Sequence, residues 1–304
     1  MSQVYVFNQY GGPETQQLID RPLPEPGPGE VAVEVQAAGV NPVDWKIRSG
    51  LLGKDHQLPA PMGQEVSGII TALGEGVEDF SVGGAVLGTV VPGRGGFAEH
   101  TLLRAEATVS KPEEISFADA ATIPVAAATA YDGTHQIELE AGQTLLILGI
   151  GGGVGLMAAQ IGKVHEFVVI GTASESKRGL VESVGAVFVP YGDDAAAGLR
   201  AAAPSGVDLI LDLVGGDALR EAADWVSDPS RIISAADPVT VSELGGKPLE
   251  RTPESLQKIT EVVEYGPVDP HVTARYPLER ASEAVAAVES GHATGKVIIE
   301  MNGS

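Results

Sequence analysis

Residues 145–155 constrain the fold of this chain more than any other stretch. They read Leu145-Leu146-Ile147-Leu148-Gly149-Ile150-Gly151-Gly152-Gly153-Val154-Gly155. A short apolar run enters a cluster of glycines, and residues 156–164 continue at helical spacing. Glycine is required where a backbone turns sharply and must approach a pyrophosphate with no Cβ in the way. The helix that follows offers unpaired N–H groups and a partial positive charge to the phosphates. The spacing is Gly149-x-x-Gly152-x-x-Gly155, not the commoner G-x-G-x-x-G, because position 150 is Ile. Between a strand and a helix, such a run predicts a dinucleotide site.

The surrounding pattern supports this. Apolar runs at 167–170, 187–189, 207–211 and 231–234 alternate with helix-like segments, one of which, 176–184, stops at Gly185. Glycine is a suitable C-terminal cap. Alternation of this kind predicts a doubly wound parallel sheet over 121–269. The end of the second strand chooses the cofactor: an acid there holds the ribose hydroxyls of NAD, whereas cations suit the 2′-phosphate of NADP. The chain reads Gly171-Thr172-Ala173-Ser174-Glu175-Ser176-Lys177-Arg178. Hydroxyls come first and two cations follow, which favours NADP(H); Glu175 dissents.

Before residue 120 the texture differs. Short β-like runs at 4–7, 31–35 and 69–73 are broken by Pro22-Leu23-Pro24-Glu25-Pro26-Gly27-Pro28-Gly29 and by the glycines of 93–96. Many short strands with frequent turns predict a barrel-like β domain over 1–120. The tail, 278–304, reads as one helix and one strand, and periodicity alone leaves open which domain it joins.

Composition closes off several functions. There are 19 Lys+Arg against 41 Asp+Glu, a formal charge of −22, and no cysteine. The acidic excess argues against nucleic-acid and anionic-membrane partners, since both need a basic face. The missing cysteines exclude disulfides, thiolate nucleophiles and any zinc site built on sulfur. No targeting signal or spanning run is visible, so a soluble cytoplasmic protein is expected.

The chain resembles the medium-chain dehydrogenase/reductase superfamily, in particular its zinc-free quinone oxidoreductase branch. The resemblance runs through Tyr10-Gly11-Gly12-Pro13-Glu14, Pro26-Gly27-Pro28-Gly29-Glu30-Val31 and Ala38-Gly39-Val40-Asn41-Pro42-Val43-Asp44-Trp45-Lys46-Ile47-Arg48-Ser49-Gly50. It continues in Gly63-Gln64-Glu65-Val66-Ser67-Gly68, Gly96-Phe97-Ala98-Glu99-His100, the glycine turn, Asp212-Leu213-Val214-Gly215-Gly216 and Gly291-His292-Ala293-Thr294-Gly295-Lys296-Val297. It implies an α/β chain with a GroES-like β-barrel domain, completed by about 270–304, and a Rossmann domain.

Zinc-using relatives place Cys where this chain has Asn41 and His where it has Gln64. Neither amide is a useful zinc ligand, and the six histidines show no paired ligand spacing, so no metal site is expected. Hydride addition to a quinone, or to an alkene conjugated with a carbonyl, then becomes the expected reaction. The resemblance places Asn41 and residues 42–46 along the nicotinamide and substrate cleft. Lys46 stands where many quinone reductases carry Tyr, and could donate to the developing enolate or contact the cofactor. Gln64 could donate one amide hydrogen bond. Asn41, Lys46 and Gln64 are therefore the catalytic candidates.

The cofactor candidates carry over by position, with Asn41 and Lys46 among them. Thr129 should approach the nicotinamide; Gly152, Gly153 and Val154 the pyrophosphate; Ser174, Lys177, Arg178 and Tyr191 the adenosine phosphate; and Val214 the nicotinamide ribose, with Thr172 and, after the next strand, Ala235 and Ala236 as further cofactor contacts. Asp212 reads as structural. Two departures stand out. Relatives usually carry a sheet-edge strand used in dimerisation between the 231–234 run and the next helix. Here residues 235–254 have little strand character, which puts edge-to-edge pairing of a homodimer in doubt. Residues 163–167, Lys163-Val164-His165-Glu166-Phe167, replace the small residues more usual there. The competing reading is an NADPH-binding relative without turnover. A short-chain dehydrogenase is disfavoured, because no Tyr has Lys four positions on.

Overall fold

The computed structural model describes residues 1–192 and 194–301. In chain order the elements begin with β1 (Ser2–Phe7), β2 (Gln16–Arg21), β3 (Glu30–Val40), α1 (Pro42–Ser49), β4 (Ala60–Pro61), β5 (Glu65–Leu73), β6 (Ala85–Val90), β7 (His100–Ser110) and α2 (Phe117–Ala120). Next come α3 (Ala128–His135), β8 (Thr144–Leu148), α4 (Gly153–Val164), β9 (Val168–Ala173), α5 (Arg178–Ser183), β10 (Val187–Pro190), α6 (Ala195–Ala202), β11 (Leu209–Asp212) and α7 (Gly216–Ala222). The last are β12 (Ile232–Ser234), α8 (Pro238–Glu243), β13 (Lys247–Pro248), α9 (Ser255–Glu264), β14 (Val272–Pro277), α10 (Ala281–Glu289) and β15 (Lys296–Glu300). Contacts divide them into two units: Met1–Val125 with Leu256–Glu264 and Val272–Ser304, and Ala126–Ser255 with Tyr265–His271.

The first unit is built on a sheet in the order β14-β15-β3-β5-β6-β7, with β7 also pairing to β3. That extra pairing closes β3, β5, β6 and β7 into a ring and removes two sheet edges. The length of β3 makes this possible. Its first half, Glu30–Glu34, pairs with Arg104–His100 of β7, and its second half, Ala37–Val40, pairs with Glu300–Val297 of β15. The tail strand therefore belongs to this unit, a placement that periodicity could not give. A separate three-stranded sheet runs β2-β1-β4. The core is aliphatic: Val31, Val33, Val35, Val66, Ile70, Val86, Leu103 and Ile299 are fully or almost fully buried, with Phe7 and Phe97 among them.

Helix α1 carries Lys46 and starts directly after Asn41, so its anchoring matters. Pro42 opens it, where a missing N–H costs nothing. Gly50 closes it at φ 84°, a left-handed conformation that favours glycine. Arg48 is completely buried; its Nε donates to Gly11 O at 3.1 Å and its Nη2 pairs with Glu289 of α10 at 2.7 Å.

The second unit is a six-stranded, wholly parallel sheet in the order β10-β9-β8-β11-β12-β13. Its inner strands β9, β8, β11 and β12 are short, largely apolar and almost wholly buried runs, as expected for strands covered on both faces. Leu146, Leu148, Ile170, Ile210, Leu219, Ile232 and Val241 form a core cluster. Residues 235–254 contain α8 and the two-residue edge strand β13, which ends on Pro248. Proline has no N–H to offer a further strand.

Candidate functional site

Strand β8 delivers the chain into the glycine turn, and four glycines there do different things. Gly149 sits at φ 82°. A Cβ at Gly155 would lie 2.5 Å from Ile150 Cα, so this glycine permits α4 to pack against the turn it leaves. A Cβ at Gly152 would meet nothing nearer than Gly149 O at 3.7 Å, which leaves open ground at the helix N-terminus. No side chain caps that terminus. Over Gly151 lies Lys177, whose Cδ would be 2.5 Å from an added Cβ. A turn that must stay bare, an uncapped twelve-residue helix and a lysine side chain lying against the turn are features that suit a pyrophosphate-bearing ligand.

Thr172 braces this turn from below. Its carbonyl accepts from the N–H groups of Gly149 and Ile150, both at 3.1 Å, and its hydroxyl lies 3.4 Å from Gly149 N. Its side chain faces the turn. Beyond it Ser174 and Ser176 share a hydroxyl contact at 3.0 Å. Partial burial pulls the Lys177 ammonium below its usual pKa, a cost that a nearby anion would offset. Arg178 is differently committed. Its guanidinium grips Glu175 at 2.7 and 3.0 Å, lies 3.5 Å from Glu182 and stacks over Phe188 at 4.2 Å. Tyr191 is largely exposed at 65%.

Across the same sheet edge, Val214 lies over Gly149, its Cγ2 2.9 Å from where a Cβ would stand. Asp212 organises the loop after β11: its Oδ1 accepts from Val214 N and Gly215 N, both at 2.9 Å, and its Oδ2 from Ser234 Oγ at 2.5 Å. Ala235 N donates to Asp212 O, and Ala236 N to Ser234 Oγ at 3.2 Å. Sequence reasoning missed Asp237, which accepts from Thr240 N at 2.9 Å and Gly216 N at 3.1 Å. Those N–H donors, Thr240 first, hold its carboxyl at about 2. In α3, Thr129 Oγ1 accepts from Arg251 Nη1 at 3.1 Å, and Arg251 also pairs with the buried Asp132 at 2.9 Å.

The first unit holds a second polar cluster, most of which the sequence did not announce. Asn41, at the head of α1, is 4% exposed. Its Nδ2 donates to Glu65 Oε1 at 2.7 Å, and its Oδ1 accepts from Lys296 Nζ at 2.7 Å. Asp44 is 2% exposed, and its Oδ2 accepts from Asn41 N at 2.8 Å. Burial pushes the Asp44 carboxyl up to about 7, against the opposing pull of that N–H. Lys46 and Gln64, which lie between Asp44 and Glu65 in sequence, are half-buried. The signal that could have found the cluster was Glu65 and Lys296 within the motifs already quoted. Neither is an expected occupant of an apolar interior unless paired.

The 163–167 departure resolves into packing. Tyr131, His135, His165 and Phe167 form a line of rings with centroid separations of 3.9, 4.9 and 5.5 Å. Among the described residues no group of three or more acidic or histidine side chains could hold a metal ion, and no helix is long and apolar enough to cross a membrane.

Comparison with known proteins accords with this geometry. Residues 27–113 match the family model described as the alcohol dehydrogenase GroES-like domain, and residues 184–299 that described as zinc-binding dehydrogenase. The chain is 33% identical to a quinone oxidoreductase of Sus scrofa, over 98% of this chain and 97% of the relative. It is 30% identical to an NADPH-dependent alkenal/one oxidoreductase, chloroplastic, of Arabidopsis thaliana, over 97% of this chain and 78% of the relative. The structure of the quinone oxidoreductase from Coxiella burnetii superimposes with a TM-score of 0.91 at 27% identity, covering 99% of both chains. With these likenesses spanning its whole length, the chain belongs to the quinone oxidoreductase family of the medium-chain dehydrogenase/reductase superfamily.

Proposed function

We propose that this chain is an NADPH-dependent oxidoreductase that transfers hydride to a quinone or an α,β-unsaturated carbonyl compound. The observation that carries the reading is the bare turn at Gly149–Gly152 beneath Lys177, opening onto the N-terminus of α4. NADPH, when bound, supplies the hydride. The backbone N–H groups of Gly152, Gly153 and Val154 bind the pyrophosphate, and Ser174 and Lys177 bind the 2′-phosphate. Thr172, Val214, Ala235 and Ala236 shape the loops around them, Thr129 flanks the nicotinamide end, and Tyr191 borders the adenosine end. As hydride reaches the electrophilic carbon, the displaced electron pair gathers on the substrate oxygen. Asn41 donates a hydrogen bond to that oxygen, with Lys46 and Gln64 as the further donors beside it. The proton that completes the reduction comes from water or from Lys46.

We infer that this chemistry proceeds without zinc, despite the name of the matching family model. Asn41 stands where a thiolate would be needed and Gln64 where an imidazole would be. The Lys296 ammonium, 2.7 Å from Asn41 Oδ1, would also repel a divalent cation held by that atom. A soft metal needs thiolate or neutral imidazole, and this donor set offers amides. The test is NADPH oxidation with 9,10-phenanthrenequinone, 1,4-naphthoquinone and a panel of enals and enones, before and after dialysis against a chelator. Turnover unaffected by the chelator is expected. No turnover with any acceptor, despite NADPH binding, would replace this reading with that of a binding protein; loss of turnover to the chelator would overturn the zinc inference.

A further inference from the structure

Asn41, Glu65 and Lys296 meet at one buried point of the first unit. Asn41 follows β3 directly, Glu65 opens β5 and Lys296 opens β15. All three are nearly or fully buried, at 4%, 0% and 3% exposure. The Lys296 ammonium donates to Asn41 Oδ1 at 2.7 Å, Glu65 Oε1 at 3.0 Å and Val40 O at 3.3 Å. An ammonium has three hydrogens and no lone pair, so it is fully used. Glu65 accepts from Asn41 Nδ2 and, through Oε2, from Val125 N at 2.7 Å. Even Gly39 is shaped to this site: a Cβ there would stand 2.2 Å from Glu65 Oε1.

The two partners of the Asn41 amide have opposite chemistry. A primary amide is nearly symmetric in shape, and a half-turn exchanges its oxygen and nitrogen with little steric change. Here the half-turn would aim an NH2 at an ammonium and an oxygen at a carboxylate, so only one orientation is tolerated. Glu65 uses one hydrogen of Nδ2, and the second acquires a defined direction. Stability does not explain the arrangement, because a buried ion pair is commonly no better than an apolar pair of the same volume.

We infer that Lys296 and Glu65 are positioning residues that lock the Asn41 amide with its second Nδ2 hydrogen presented to the substrate oxygen. The inference rests on the reductase reading, in which Asn41 is the donor. It adds two residues that touch neither substrate nor cofactor and act through Asn41 alone.

A double-mutant cycle on NADPH turnover with 9,10-phenanthrenequinone tests it. Lys296→Met should lower kcat by about 10²-fold, the loss expected of a misplaced donor, while the NADPH dissociation constant stays within about twofold. Asn41→Ala should lower kcat similarly, and adding Lys296→Met to Asn41→Ala should cost nothing more. Should Lys296→Met fail to fold, Glu65→Gln/Lys296→Met removes both charges together and takes its place in the cycle. Losses that multiply, or an unchanged kcat in the charge-removed variants, would overturn the positioning role. The lock itself is read without turnover, from the side-chain amide protons of Asn41 by NMR. They should form one slowly exchanging pair in the wild type and become averaged in Glu65→Gln/Lys296→Met; equal mobility in both would overturn the inference. An undiminished kcat in Asn41→Ala would refute the donor role of Asn41, and an inactive wild type the reductase reading, each separately from the NMR result.

Discussion

Lys177 and Arg178 are adjacent cations in different places. Lys177 lies over Gly151 at the mouth of the glycine turn, whereas Arg178 is held by Glu175 and Glu182. Lys177→Ala should therefore raise the KM for NADPH about tenfold or more, the value of a charge-assisted hydrogen bond, and leave that for NADH within about twofold. Arg178→Ala should shift the NADPH KM by no more than about threefold, since exposed pairs carry little energy. Steady-state kinetics with both coenzymes decide this, and equal losses for NADPH and NADH in Lys177→Ala would remove the phosphate role. Local sequence placed both cations at the end of β9. It did not separate them, because the pairing of Arg178 with Glu175 depends on the 3-10 turn at Glu175–Lys177 that brings the two side chains to one side.

The β8–turn–α4 unit and helix α1 each depend on a single packing decision. At Gly155 an added methyl meets the backbone of Ile150, which cannot rotate away. Gly155→Ala should cost about 1–3 kcal/mol in thermal unfolding and weaken NADPH in titration, because α4 must back off from the turn. In α1 burial favours the neutral form of the Asp44 carboxyl. The unfolded chain ionises this group near 3.8, while the folded chain retains the proton up to about 7. Between those values the folded state binds more protons, so the stability contributed by Asp44 is full below about pH 4 and is lost as pH rises through about 7. Glu65 adds to the upward shift and Lys296 opposes it. Denaturant unfolding of the wild type relative to Asp44→Asn should show the difference falling from pH 4 to pH 8. A pH-independent difference would show that Asp44 does not titrate in this window.

At the scale of the molecule, a formal charge of −22 repels itself. Screening shortens the reach of that repulsion from about 30 Å at 0.01 M salt to about 3 Å at 1 M. The melting temperature should therefore rise with potassium chloride, by about 2–4 °C for each kcal/mol of repulsion removed. A melting temperature that falls with salt would mean that the attractive pairs, such as Arg48–Glu289, outweigh the net charge. By itself the sequence determined the alternation of strands and helices in the second unit, the glycine turn, and the amides at positions 41 and 64. These are legible because strand and helix periods, glycine and residue identity are local properties. Only the tertiary structure decided that β15 lies beside β3, with Val297 opposite Val40. That register carries Lys296 to Asn41, 255 residues away in the chain, and makes an ordinary surface ion type into a buried one. Burial and partner choice arise from long-range strand pairing, which no local pattern of residues encodes.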